Sequence, residues 1–411
     1  MKTADVVVVG AGVAGAALGT VLARDGLDVV VLERQTRYRD KVRGEFMAPW
    51  GVAELDRLGL HDVLLGAGGG HVTRFVGYDE TLLPEEAEAR ALSLADLLPG
   101  VPGALDVGHP AACEALAQAA VAAGATLVRG VGAVTVMPGT APAVTYEHDD
   151  IEHQLPCRLV IGADARMSSV RRQIGINLHE TTPRTWGAGL LVEGLTEWPA
   201  EVCTMGNEHD LVFLVFPRPE GRARLYLLWN IAADKVRFTG PNRQREFLDA
   251  FRLRCLPLGE ALAASEPAGP IASYPMNDSW CEEPLVEGVV LVGDAAGWND
   301  PIIGQGLSIS LRDARLVSEV LAAGTDWSPA AFRPYSIERG ERMRRLRFSA
   351  RLVTELRATF TPEGAARRKR FFERASHKFL MRAPILGTFL GPESMPAAAF
   401  DAENLRRCLA A

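Results

Sequence analysis

The sequence predicts an α/β fold: a Rossmann-like frame built on a parallel sheet, an inserted and mostly antiparallel β-sheet domain, and a C-terminal helical region. Three observations carry this. The β-branched run Asp5-Val-Val-Val-Val9 leads through Gly10-Ala-Gly12-Val-Ala-Gly15 into an Ala- and Leu-rich helix. A strand of the same style returns late, at Gly288–Val292. Between them, Arg222-Ala-Arg-Leu-Tyr-Leu-Leu-Trp229 alternates as a strand with one polar face does.

The elements follow in order. Asp5–Val9 is a strand, Val13–Asp25 a helix stopped by Gly26, and Asp28–Leu32 the next strand. Ala48–Leu58 is helical, with Pro49 in its first turn and Gly59 after its end. Pro110–Ala123 is an Ala-rich helix, followed by short strands at 126–129, 131–137, 143–146 and 158–161. Segments 186–193, 211–216 and 223–230 form a separate antiparallel set, and Gln244–Ala263 reads as one helix. Gly304–Leu321 is a helix, and the chain is helical from Pro329 onward. Because parallel-style strands occur early, in the middle and late, the first domain is discontinuous. We expect it at 1–70, 100–180 and 268–328, the inserted domain at 71–99 and 181–267, and the helical region at 329–411.

Composition narrows the classes. At 48% hydrophobic and 23% charged over 411 residues, the chain can bury a large core and is not of disordered type. A net charge of −7 gives no reason to expect a nucleic-acid partner. The charge is uneven: between Arg333 and Arg382 there are fifteen Lys or Arg against five Glu, a local +10 against −17 elsewhere. The plain reading is a solvated helical face, and the alternative is a contact with a membrane surface or polyanion. Six scattered cysteines without a CxxC pair, and no histidine spacing suited to zinc, predict no metal site and a reducing, cytoplasmic setting. Val6–Ala23 carries no charge over eighteen residues, yet its glycine spacing identifies a buried strand and helix, so no integral membrane segment is expected.

The motifs define the chemistry. In Gly10-x-Gly12-x-x-Gly15 the first glycine permits a tight turn. The second lets backbone approach a pyrophosphate, and the third lets helix and strand pack closely. Glu33, about twenty residues on at the end of the second strand, is placed for a ribose hydroxyl. This is a Rossmann-like dinucleotide site. Two later segments also follow apolar strands: Gly162-Ala-Asp164-Ala-Arg166-Met-Ser168-Ser-Val170-Arg171, and Gly293-Asp294-Ala-Ala-Gly297-Trp-Asn-Asp300-Pro301-Ile-Ile-Gly304-Gln305-Gly306.

With these three motifs in this order, residues 1–330 resemble the FAD-dependent monooxygenases of the p-hydroxybenzoate hydroxylase type. The resemblance implies a Rossmann-like FAD-binding domain with an inserted substrate domain. It places FAD against Gly10, Gly12, Val13, Ala14, Gly15, Glu33, Arg34, Arg43, His109, Val134, Asp164, Asp294, Pro301, Gly304, Gln305, Gly306 and Leu307. Arg43 comes from Arg43-Gly-Glu-Phe-Met-Ala-Pro49, where the family has an arginine near the flavin, and His109 stands where many members have an arginine. The chain departs from the pattern at Ala165 (glycine in the "DG" motif), Gly297 (usually His) and Ser308 (commonly Asn).

The family chemistry implies that NAD(P)H reduces the flavin, O2 adds at C4a, and the hydroperoxide hydroxylates or epoxidises a bound small molecule. Such a site must be dry, so an apolar pocket between flavin and inserted sheet is expected, with Phe213, Val215, Tyr226, Leu228 and Trp229 as candidate lining. Glu45 and Asp300 are the ionisable groups flanking the flavin segments and are candidate proton carriers. The substrate reads as aromatic, polyketide-like or terpenoid, and a homo-oligomer is compatible with the sequence. Two rivals share the architecture: a reductase of isoprenoid double bonds, and a flavin-dependent halogenase, whose WxWxIP stretch does not occur here.

Overall fold

The computed structural model describes residues 3–42, 44–233 and 237–410. Strand β1 (Ala4–Val9), helix α1 (Val13–Arg24) and strand β2 (Val29–Glu33) form the opening βαβ unit. β1 is central in a parallel array ordered Val289–Leu291, Ile151–Gly162, β1, β2, Thr126–Arg129. Its β-branched run is explained by cover on both faces. Val6 and Val8 pack with Leu18, Leu116 and Leu311 on one side, and Val7 and Val9 with Val144, Val160 and Leu291 on the other. The twelve-residue strand Ile151–Gly162 also begins an antiparallel hairpin extension through Ala143–His148 and Val134–Met137.

A second sheet runs Glu266–Pro267, Thr185–Glu193, Arg222–Asn230, Leu211–Arg218, Val202–Glu208, Arg74–Asp79, Leu92–Ser93, with Ala272–Met276 also beside Thr185–Glu193. Its strands Arg74–Asp79 and Val202–Glu208 pair in parallel, a contact the sequence pattern did not predict. A small third sheet joins Phe46–Met47, Ala104–Asp106 and Gly70–Val72.

The expected helix 244–263 is two, Arg243–Asp249 and Gly259–Ala264. Pro257 cannot continue a helix, and Leu258 sits at φ 60, so the chain turns between them. Both helices cover one face of the second sheet with Phe247, Leu248 and Leu262. The opposite face packs against the 25-residue helix Arg333–Arg357 through Met343, Leu346, Ala350 and Val353.

The basic C-terminal segment is not simply a solvated face. Arg339, Arg342, Arg357 and Arg368 are all buried. Each has found a partner that is distant in sequence. Arg339 and Arg342 pair with Asp313, Arg357 donates to Asn207, and Arg368 pairs with Asp79 and Glu80. A buried guanidinium needs such partners because desolvating it alone is prohibitive.

Candidate active site

A cavity of about 880 Å³ opens between the two large sheets. One wall is the βαβ unit. Gly10, Gly12, Val13 and Ala14 line it, with Glu33 and Arg34 at the end of β2. The backbone shows why these are glycines. Gly10 has φ +106, and a Cβ on it would lie 2.5 Å from the Ala163 carbonyl oxygen. A Cβ on Gly15 would lie 1.9 Å from the Gly10 carbonyl oxygen, whereas nothing lies within 4 Å of one on Gly12. Gly12 therefore leaves open space, and Gly15, which does not line the cavity, serves the packing of α1 on β1.

Glu33 is fixed in place. Its carboxylate accepts from the Ala11 N–H and the Gln35 N–H, both at 2.8 Å. Tyr38, which also lines the cavity, donates its hydroxyl to the Ala11 carbonyl at 2.6 Å. Arg34, Arg39, Lys41, Arg166 and Arg172 line the cavity beside the acids Glu33, Glu45, Asp164 and Asp294, so cations are at hand for a diphosphate.

His109, Val134, Asp164, Asp294, Pro301, Gly304, Gln305, Gly306 and Leu307 all border the same cavity, as does Glu45. Arg43 lies outside the described residues. Asp164 caps the short helix Ser169–Gln173, accepting from Ser169 N–H and Val170 N–H at 2.6 and 3.1 Å. Its Oδ1 is buried with no hydrogen-bond partner among the described residues. The residue after it, Ala165, holds φ 63, the left-handed region where glycine is at ease. Here an alanine holds that conformation.

The Gly293–Gly306 segment is held from behind. Arg339 donates to the carbonyls of Gly293, Ala296 and Gly297, each at 3.0 Å, and to Asp313 at 2.9 Å. Asp313 in turn accepts from Gly293 N–H at 2.8 Å. Burial opposes ionisation of Asp313, but Arg339 and Arg342 overcome it and hold the carboxyl below its usual range. Gly297 has φ +106 and a Cβ there would meet the Ser279 carbonyl oxygen at 2.5 Å, so a histidine cannot stand at this position in this backbone. Asp294 pairs with Arg166 at 3.2 Å. Gln305 is occupied by Trp50, whose indole N–H donates to it at 2.8 Å.

Asp300 does not line the cavity. It caps the turn Pro301–Ile303, accepting from Ile302 N–H at 3.0 Å. Burial, with the nearby Asp278 carboxylate, pushes its pKa up to about 7. Glu45 is 2% exposed and pairs with Arg224 at 3.0 Å and Arg218 at 3.3 Å. Burial raises its pKa, against the pull of these two arginines. Arg224, from the supposed polar face, is wholly buried between Glu45 and Asp40. Beside Glu45, the buried Asp106 has its carboxyl pushed well above the usual range by burial and by Glu45.

The second sheet supplies the other wall, and here strand parity decides. Leu214, Phe216, Tyr226 and Leu228 line the cavity, with Phe46, Tyr274 and Met276. Phe213, Val215 and Trp229 do not. They point to the opposite face and pack with Phe247, Leu248 and Phe251. Adjacent residues of a strand face opposite sides, so of the five expected lining residues only Tyr226 and Leu228 reach the cavity. The alternation Arg224, Tyr226, Leu228 marked that face, and the cross-strand register Leu214 to Tyr226 carries it to the neighbouring strand.

This geometry defines a dinucleotide-binding flavoprotein frame with an apolar chamber against it. The chain belongs to the FAD binding domain family, matched over residues 3–347, the family of p-hydroxybenzoate hydroxylase-type monooxygenases, and it is an FAD-dependent enzyme. It is 28% identical over 393 residues to the ubiquinone hydroxylase UbiL of Rhodospirillum rubrum, covering 89% of this chain and 85% of that protein. It is 28% identical over 348 residues to a menaquinone reductase of Mycolicibacterium smegmatis, covering 80% and 79%. Against mouse squalene monooxygenase it is 25% identical over 330 residues, 77% of this chain, and spans about half of that protein, 54%. Its fold superposes on p-nitrophenol 4-monooxygenase from Pseudomonas putida with a TM-score of 0.79 at 20% identity, over 95% of this chain and 99% of that one. No helix among the described residues is long and apolar enough to cross a membrane.

Proposed function

We propose that the enzyme inserts one oxygen atom from O2 into a largely apolar small molecule, aromatic, polyketide-like or terpenoid, at the expense of NAD(P)H. The observation that supports it is the composition of the chamber wall. Phe46, Leu214, Phe216, Leu228 and Met276 line the cavity together with Pro301, Ile302 and Gly304, and Tyr226 and Tyr274 add the polar tips. The ubiquinone hydroxylase and squalene monooxygenase names of two relatives point to the same substrate class.

FAD, when bound, supplies the redox chemistry, taking electrons from NAD(P)H and activating O2. The residues present fit it. Gly10–Ala14 and the start of α1 would hold the pyrophosphate, Glu33 the adenosine ribose, and the buried free oxygen of Asp164 and the carboxylate of Asp294 remain for its hydroxyls. Gly306 opens the helix Gly306–Ala322, whose N-terminus favours negative charge on a flavin edge. The apolar wall excludes water from the reacting region. Glu45 reaches the cavity and, with its pKa raised, is the group we assign to hold a proton there; Asp300 acts behind the Pro301 turn. We infer a cytoplasmic setting from six cysteines that are all buried and form no disulfide.

The test is NAD(P)H oxidation and O2 uptake across a panel of aromatic, quinone and polyene compounds. The expected result is consumption of both, stimulated by one class and matched by an oxygenated product. The menaquinone reductase relative supports one rival, reduction of an isoprenoid double bond. NAD(P)H consumption with a reduced product and no O2 uptake would establish that rival instead.

A further inference from the structure

Away from the cavity, the helix His61–Gly66 and the strand Gly70–Val72 meet through two imidazoles. The Nε2 atoms of His61 and His71 lie 3.0 Å apart, with the rings 5.0 Å centroid to centroid and near a T arrangement. Each Nδ1 faces an oxygen that can only accept. For His61 it is Asp56 Oδ1 at 2.9 Å, and for His71 the Ala104 carbonyl at 3.1 Å. Both Nδ1 atoms therefore carry hydrogen, and in neutral imidazoles both Nε2 atoms present lone pairs to each other. Two lone pairs at this distance repel unless a positive centre lies between them.

The distance itself is that of two ligands on one ion. With metal–nitrogen bonds of roughly 2.0–2.1 Å, two cis ligands at a right angle sit roughly 2.9 Å apart, and two tetrahedral ligands roughly 3.4 Å apart. We propose that His61 and His71 form a two-histidine site for a late first-row divalent ion with right-angled ligands, Cu2+ or Ni2+, with solvent filling the other positions. No three His, Cys, Asp or Glu converge as ligands among the described residues, so the protein supplies only these two. His61 is 19% exposed along its side chain, which leaves an entry path. Asp56 and the Ala104 carbonyl orient the two rings, the arrangement in which a histidine ligand is held by an acceptor on its far nitrogen. The site fastens the helix to the small sheet whose strand Phe46–Met47 borders the cavity.

The test is calorimetric titration of tag-free, FAD-loaded full chain with Ni2+ at pH 8, with the EPR spectrum of the Cu2+ complex read for coupling to imidazole nitrogens. The expected result is one tight equivalent and two coupled nitrogens. His71→Ala and His61→Gln should each weaken binding tenfold or more, and Asp56→Asn by roughly 10–100-fold. His153→Ala, in a second histidine pair with His148 whose rings are 6.4 Å apart, should leave it unchanged. Flavin absorbance and melting of each variant report that it is folded. A wild type that binds Ni2+ no more tightly than folded His71→Ala or His61→Gln overturns the proposal, and so does a Cu2+ spectrum unchanged by both.

Discussion

Replacing Arg339 by Met should destabilise the enzyme by about 3–5 kcal/mol, the usual cost of removing one partner from a buried ion pair. Arg339 is 3% exposed, and its guanidinium holds Asp313 and three carbonyls of the Gly293–Gly297 loop. Methionine keeps the aliphatic stem, so the loss falls on these polar contacts. Arg342 still pairs with Asp313 at 2.6 Å, which sets the lower end of the range. With an unfolding entropy of about 2.1 cal/mol/K per residue, a cooperative 411-residue chain loses about 1.2 °C per kcal/mol, so Tm should fall by about 4–6 °C. FAD affinity should fall as well, because the same loop carries Asp294 into the cavity. The assay is thermal melting of holoenzyme together with flavin titration. Arg344→Met, an exposed pair with Glu341, is the control and should cost under about 1 kcal/mol. Asp313 adds a pH arm. A carboxyl held below its ordinary range stabilises the fold above that range and stops doing so as pH falls through it, so the gap between variant and wild type should narrow in acid. An Arg339→Met protein that melts with the Arg344→Met control would refute the assignment of this arginine as the brace of the loop.

Ala165→Gly should raise stability by about 1 kcal/mol, since glycine adopts φ 63 without the Cβ penalty; a lower urea midpoint at unchanged slope would count against it. Phe213→Ala should cost about 3–5 kcal/mol of stability with little change in substrate KM, whereas Leu214→Ala should shift KM and cost less stability; a reversed pattern would show that the strand faces are misassigned. Asp300 has its folded pKa raised from 3.8 to about 7, so its contribution to stability is full below pH 4 and is lost as pH rises towards 7. Asp300→Asn keeps an oxygen for the turn and should gain about 4 kcal/mol relative to wild type between pH 4 and pH 8 in urea unfolding, and equal pH dependence in both proteins would remove the argument.

The sequence by itself determined the nucleotide-binding frame. A buried central strand must be β-branched, a backbone passing a diphosphate must lack Cβ, and both requirements are written in adjacent residues from Val6 to Gly15. The Asp164 and Asp294 segments were legible for the same reason: each is one continuous strand and turn. What spans distant parts of the chain was not. Parity placed Leu214 and Phe216 on the cavity and Phe213, Val215 and Trp229 behind it, and every residue of a run such as Leu211–Phe216 is apolar, so the pattern alone assigns no face. Arg224 looked like a solvent residue until Glu45 and Asp40 were brought to it from 179 and 184 positions away. Arg339 and Arg342 were counted as surface charge until Asp313 lay against them. Local geometry leaves its mark on local sequence, whereas the partner that makes a buried charge tolerable, or the sheet face that makes a side chain functional, is fixed only when the whole chain is packed.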